Sequence, residues 1–338
     1  MINKTLKWSA FAISVVGLVG VVLVLQEFWP VDSTGLSIEH VRQKELVADF
    51  IYPSSNNALP VIVFLGGSGG GLKYEEELKA LALNGYAVLS LAFFKEAGLP
   101  DKLENIPLEY FEHAFEWLKT KRQLDTNRLF LMGVSRGAEL ALLLGSTYPL
   151  VKGVIAYAPG CFVLPNATEI DEDTLVASWT LNSRPVPFAH IQRFEENSDA
   201  SIDYIKYIDP LLKGRNDEEE YVIKVERING PILLISGAHD LVWPSAAMAN
   251  RIEERLKQRG FQHEVNNIIF ENGGHDLLMF KRCYPVVSSI AFRKFSLTIR
   301  GRKYEFNLGG TAAGVIHSKV KSRELTLQFI DKYRGGLN

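Results

Sequence analysis

Apolar residues occur along this chain in two rhythms, short unbroken runs and stripes at helical spacing. The run Leu59–Leu65 carries no polar side chain and reads as a strand buried on both faces. It leads into residues 66–71, of which five are glycine. Strands of the same kind are predicted at Tyr86–Leu91, Arg128–Met132, Val151–Tyr157, Pro231–Ser236 and Val265–Phe270. Helical stripes lie between them, at Tyr74–Leu83, at 136–147, after Pro107 (Tyr110, Phe111, Ala114, Phe115, Leu118) and after Pro244 (Met248, Ile252, Leu256). Glu39–Tyr52 reads as an extended pair, Phe295–Asn307 as a hairpin turning at Arg300-Gly301, and Ser318–Tyr333 as a closing amphipathic helix. Strands alternating with helices predict an α/β fold with a mostly parallel sheet covered on both faces. Residues 158–230 break the alternation and predict a cap-like insertion above the carboxyl ends of the strands. Within it, the acidic stretch 216–220 reads as a solvated surface run.

The amino terminus follows neither rhythm. Trp8–Leu25 holds no charge over eighteen residues, with Lys4 and Lys7 before it and Glu27 after it. As a helix it would rise about 27 Å against a bilayer core of about 30 Å, with Trp8 and Trp29 at the two interfaces. A cleaved signal peptide would need a shorter apolar core and small residues at its cleavage site; Leu25–Pro30 offers only bulky or charged ones. A buried core helix would show a polar solvent face, and none is marked. The expectation is one transmembrane helix within a cytoplasmic tip and anchor at 1–30, a linker at 31–38 and a globular domain at 39–335. The lysines hold the first residues in the cytoplasm, which places the domain outside it and makes the membrane a partner.

Composition narrows the remaining choices. The 338 residues are 47% hydrophobic and 22% charged, as in an ordinary globular protein. A net charge of -2 without any basic block argues against a nucleic-acid partner. Cys161 and Cys283 form neither a disulfide framework nor a metal-ligand spacing and read as two buried free thiols, with pairing in an oxidising compartment as the alternative. No histidine pair has the H-x-x-x-H spacing of a metal site, so no metal or other cofactor is called for.

The chemistry concentrates at three strand ends. Gly133-Val-Ser135-Arg-Gly137 follows the strand 128–132 and opens the apolar helix 136–147. Strand, G-x-S-x-G and helix in that order form a nucleophile elbow, where small residues two before and two after the serine permit a sharp turn. A serine hydroxyl is a weak nucleophile and needs a base, and the base needs a carboxylate to orient it. Asp240 follows the strand 231–236, and His275 follows the strand 265–270. Ser135, Asp240 and His275 are therefore the candidate nucleophile, orienting acid and general base. His239 and Asp276 are rivals, each awkwardly adjacent to its would-be partner in the chain. The backbone amide of Arg136 and one from Gly67 or Ser68 are the candidate oxyanion donors. The glycine turn lacks the Gly-Lys-Ser/Thr ending of a phosphate cradle and runs into Glu75, Glu76 and Glu77.

Further stretches carry a resemblance: Phe64–Gly71, Leu91–Phe94, Ile106–Phe111, Gly133–Leu142, Ser178–Pro187, Asp240–Ser245, Gly274-His275 and Gly309-Gly310. Together they resemble the carboxyl-terminal catalytic domain shared by acyl-CoA thioesterases and bile acid-CoA:amino acid N-acyltransferase, over roughly residues 39–335. The resemblance implies an α/β-hydrolase fold with a Ser (or Cys)-His-Asp triad acting on an acyl thioester. Carried over by position, Ser135 is the nucleophile, His275 the base and Asp240 its partner, and serine rather than cysteine at 135 resembles the thioesterase branch. That family carries an immunoglobulin-like domain ahead of the catalytic one, where this sequence has the apolar stretch and a short extended segment. A domain outside the cytoplasm would meet another ester, thioester or lipid-borne acyl group; in the reverse orientation it would meet acyl-CoA. Trp179 and Phe188 of the insertion either line the acyl site or form the core of the cap. Carboxylesterase or dienelactone-hydrolase-like activity, acyl transfer to an amine, and an inactive tethered binding protein are the alternatives.

Overall fold

The computed structural model describes residues 20–22, 24–43, 45–166, 175–191, 205–214, 218–299 and 302–333. Its centre is an eight-stranded sheet in the order β1-β2-β4-β3-β6-β7-β10-β11. These strands are β1 (Leu36–Gln43), β2 (Leu46–Pro53), β3 (Leu59–Leu65), β4 (Ala87–Ala92), β6 (Leu124–Val134), β7 (Val154–Tyr157), β10 (Ile232–Gly237) and β11 (Val265–Phe270). Strand β2 pairs antiparallel with both β1 and β4, and every other pairing is parallel.

Alternation along β3 explains why the sheet is covered on both sides. Val61, Val63 and Leu65 point into one core, with Phe111, Phe115 and Leu118 of α2 (Glu109–Lys119), Leu140 and Leu144 of α3 (Arg136–Thr147) and Ile252 of α6 (Ser245–Gln258). Ile62 and Phe64 point into the other, with Leu78 and Leu81 of α1 (Glu75–Ala82) and Phe329 and Ile330 of α8 (Ala312–Lys332). Successive side chains of a strand face opposite ways, so an unbroken apolar run requires two apolar layers.

The carboxyl-terminal hairpin pairs β12 (Lys294–Ile299) with β13 (Arg302–Asn307), as predicted; its turn residues 300–301 lie outside the described ones. Helix α8 starts six residues earlier than its apolar pattern, because Thr311 caps it by accepting a hydrogen bond from the Gly314 amide at 3.0 Å. The insertion 158–230 holds two short helices, α4 (Ile205–Lys213) and α5 (Glu218–Tyr221). Its strands β8 (Trp179–Leu181) and β9 (Arg184–Pro185) join β5 (Ile106–Pro107) in a small separate sheet. In the acidic stretch, Glu219 is bound rather than merely solvated: Arg255 and Lys224 each reach it at 2.7 Å and hold its carboxyl far below the ordinary range, hydrogen bonds from both being the main cause.

Most of the predicted anchor, residues 8–19, lies outside the described residues. Among those described, no helix is long and apolar enough to cross a membrane. Both cysteines are free, Cys161 buried and Cys283 half-buried rather than buried.

Candidate active site

The elbow is built by two close backbone approaches. Strand β6 ends at Val134 and α3 begins at Arg136, leaving Ser135 alone to make the turn. Its φ of 57° and ψ of −121° match the first central position of a type II′ turn, where glycine is usual. A β-carbon on Gly133 would lie 2.0 Å from the Gly137 carbonyl oxygen, and one on Gly137 would lie 2.1 Å from that of Leu65. Only glycine leaves room for β6, α3 and the end of β3 to converge there. Ser135 occupies the helix N-cap position, yet its side chain makes no capping bond. It lines a cavity of about 350 Å³ with the loop 66–71, His275, Phe292, Phe295 and Leu308.

Two further strand ends supply the partners. Asp240 follows β10 and His275 follows β11, and the imidazole Nδ1 lies 2.8 Å from Asp240 Oδ2. A carboxylate can only accept, so Nδ1 is the donor, and in the neutral imidazole Nε2 is then the nitrogen left as acceptor. The carboxylate is itself held on every side: Oδ1 accepts from the amides of Val242 (2.9 Å) and Trp243 (3.2 Å), and Oδ2 from the Ser245 hydroxyl (2.6 Å). Trp243 stands edge-on to the imidazole at 5.9 Å between ring centres. Asp240 and His275 are buried, whereas Ser135 is half-buried. No hydrogen bond joins Ser135 to His275 among the described residues; the two meet as walls of one cavity. Such bonds often tighten only when substrate is bound.

Of the rival residues, Asp276 has a partner elsewhere and His239 is exposed. Asp276 also lines the cavity but pairs with Lys319 at 2.5 Å. His239 donates its amide to the Gly273 carbonyl at 3.0 Å, knitting the acid loop to the histidine loop.

The candidate oxyanion donors sit against the serine. Arg136 is the first residue of α3, so its amide has no intrahelical acceptor. Gly67 packs so closely that a β-carbon there would lie 3.4 Å from the Ser135 β-carbon and 3.9 Å from its Oγ. Ser68 lines the same cavity. The turn is tied down by the Gly70 amide on the Gly67 carbonyl (3.1 Å) and the Gly71 amide on that of Phe94 (3.0 Å).

Behind the elbow lies a buried network not legible in the sequence. The Arg136 guanidinium binds Glu139 (2.5 Å), the carbonyls of Leu164 (3.0 Å) and Pro165 (3.1 Å), and the Ser178 hydroxyl (2.5 Å). Glu139 in turn accepts from the Leu164 amide and the Trp179 indole, each at 3.2 Å. Burial pushes the Glu139 carboxyl up to about 7, against Arg136, Trp179 and Leu164, which pull it down. The insertion is thus bolted to the helix that carries the candidate oxyanion amide. Of the two places open to Trp179, it takes the core: it is fully buried beside Phe93 and Phe111 and is not among the residues lining the cavity of Ser135. Phe188 likewise packs half-buried against that core and does not line the cavity. Glu139 was signalled only as a lone charge in the apolar run 138–144, and Ser245 had no signal beyond lying five residues after Asp240.

Residues 106–333 match the family described as BAAT / acyl-CoA thioester hydrolase C terminal, about two thirds of the sequence. The chain belongs to that family. Among individual members of the BAAT / acyl-CoA thioester hydrolase family, mouse acyl-coenzyme A thioesterase 5 is 30% identical over 237 residues, covering 70% of this chain and 53% of that protein. Human acyl-coenzyme A thioesterase 1 is 28% identical, covering 71% and 54%. Mouse acyl-coenzyme A amino acid N-acyltransferase 1 is also 28% identical over the same shares. The chain spans about half the length of the curated relatives it matches. The fold is that of solved hydrolases: acylaminoacyl peptidase of Pyrococcus horikoshii superposes with a TM-score of 0.52 at 19% identity, over 90% of this chain and 43% of that one. A putative dienelactone hydrolase of Klebsiella pneumoniae superposes at 0.51 and 14%, over 88% and 98%. At those identities the likeness concerns the α/β-hydrolase fold alone.

Proposed function

We propose that this protein is a serine hydrolase of acyl thioesters, working through Ser135, His275 and Asp240. The observation that carries the reading is the buried Asp240–His275 pair at 2.8 Å, opening onto the cavity that the elbow serine also lines. Ser135 Oγ attacks the thioester carbonyl while His275 Nε2 takes its proton, and Asp240 holds Nδ1–H and steadies the imidazolium. The amides of Arg136 and of Gly67 or Ser68 receive the oxyanion. Collapse of the tetrahedral intermediate expels the thiolate, which takes the proton back from His275. Water then repeats the sequence on the acyl-enzyme, releasing a carboxylic acid and restoring the serine. Family membership supports a thioester carrying coenzyme A, and serine at 135 supports water as acceptor.

We infer further that the apolar stretch 8–25 anchors the chain in a membrane with the catalytic domain outside the cytoplasm, where the thioester would be a lipid-borne or other one; in the reverse orientation it would be acyl-CoA, and reporter fusions at the carboxyl terminus decide between the two.

The functional test is thioester hydrolysis by the full chain across acyl-CoA lengths, beside oxygen esters and in the presence of glycine or taurine. Ser135→Ala is expected to lower turnover at least about 10³-fold and to abolish labelling by a fluorophosphonate. Faster cleavage of the oxygen ester, or amide formation, would replace the thioesterase reading. Wild-type protein that neither turns over nor labels would end the enzymatic one.

A further inference from the structure

Several of the large apolar side chains left outside the core come from two segments that are hydrogen-bonded to each other. Leu25, Phe28 and Trp29 of the amino-terminal segment are exposed, and so are Ile290 within α7 (Val286–Ala291) and Tyr284 and Phe292 on either side of it. The two groups are pinned together. The Glu27 carboxylate accepts from the amides of Val287 (2.8 Å) and Ser288 (2.9 Å), and Lys281 Nζ donates to the carbonyls of Glu27 (2.7 Å) and Trp29 (2.8 Å). Trp29 and Leu83 share a groove of about 490 Å³ with Phe280, Lys281 and Cys283. Glu27 and Trp29 are therefore fixed to the domain beside α7.

We propose that this face rests on a lipid bilayer. Three observations choose that occupant. The chain that enters the patch is uncharged for the eighteen residues up to Leu25, long enough to continue into a bilayer core. The exposed rings of Phe28, Trp29 and Tyr284 are amphipathic or apolar groups suited to the headgroup level. Arg282, two residues before Tyr284, is exposed and matches anionic lipid, while Lys281 and Arg293 are turned to backbone carbonyls, Lys294 is paired with Glu305, and the acid within the patch, Glu27, is held by two amides. Phe292, half of its surface exposed, also lines the cavity of Ser135 and His275. The site then opens beside the membrane, and acyl chains enter it from the lipid side; this last step rests on the proposed hydrolysis, whereas the docking face does not.

The test uses the full chain with Cys283→Ser and Ile290→Cys, carrying an environment-sensitive dye at 290. A second protein carries the dye at Lys257→Cys on α6. Vesicles are phosphatidylcholine with phosphatidylserine, with or without doxyl-labelled phosphatidylcholine. Emission at 290 is expected to shift to the blue and fall about threefold with the doxyl lipid, and that at 257 to stay unchanged. Equal quenching at the two positions overturns the proposal. A blue shift without vesicles, accompanied by a doubled size in solution, overturns it in favour of a second copy of the chain. In Tyr284→Glu/Ile290→Glu, turnover of a vesicle-borne long-chain acyl thioester is expected to fall about tenfold while that of a soluble short-chain one is kept; equal turnover of both overturns the lipid-side entry. Wild-type protein inactive on both substrates ends the hydrolase reading and leaves the quenching result to decide the docking face.

Discussion

Gly137→Ala measures how tightly the elbow is built. The added carbon would meet the Leu65 carbonyl oxygen at 2.1 Å and that of Gly66 at 2.4 Å, where ordinary contacts begin at 3.4 Å. Relieving the closer contact needs a shift of about 1.3 Å, and both neighbours are backbone, so no side chain can swing aside. Overpacking of this kind costs about 1–3 kcal/mol, and the upper end is expected here. The displaced backbone leads directly into Gly67, the candidate oxyanion donor. A misplacement of about 1 Å at a reacting centre costs on the order of 10²-fold in rate. The matched control is Gly160→Ala, whose new carbon would meet Trp243 and Glu139 at 3.5 and 3.6 Å, within ordinary contact. Urea unfolding should place Gly137→Ala about 3 kcal/mol below wild type and Gly160→Ala within about 0.5 kcal/mol. Thioester turnover should fall about 10²-fold in the first and little in the second. If the two variants unfold together and Gly137→Ala keeps wild-type turnover, the elbow does not position the oxyanion site as argued.

Asp240→Asn should lower kcat about 10³-fold or more while KM moves little, since it presents an amide N–H to the imidazole nitrogen that now donates; steady-state kinetics check this. Glu139 should make stability depend on pH. Below about pH 4.5 the proton sits on this group in both folded and unfolded chains; as pH rises through about 7 the folded chain must ionise a buried carboxyl, and stability falls. Glu139→Gln should lack that decline in melting curves taken across the window. Thr326→Val should leave the fully buried Tyr157 hydroxyl without its 2.6 Å partner and cost about 1–3 kcal/mol by urea unfolding, with turnover per folded molecule unchanged.

Strands β3, β6 and β10 were legible as short apolar runs stopped by Gly66, Gly133 and Gly237, and β3 and β11 match their predicted spans residue for residue. The triad candidates were legible because strand-end loops are marked by the strands before them. What escaped reading depends on distant partners. Strands β5, β8 and β9 are only two or three residues long, and β5 pairs with β8 across some seventy positions, as Ile106 does with Trp179, so no local pattern announces their sheet. The start of α8 is set by a capping threonine ahead of Ala312-Ala-Gly314, where the apolar spacing has not yet begun. Trp179 was ambiguous for a related reason: whether an aromatic lines a site or fills a core is decided by what packs against it, here Phe93, Phe111 and Glu139.

The backbone angles at position 135 limit which residues can ever serve there as nucleophile. Side chains branched at the β-carbon clash with the main chain when φ is positive, so threonine is shut out although it carries the same hydroxyl. Cysteine, unbranched, fits the same turn. The elbow thus acts as a filter on substitution: it admits sulfur in place of oxygen at the candidate reacting atom and shuts out threonine.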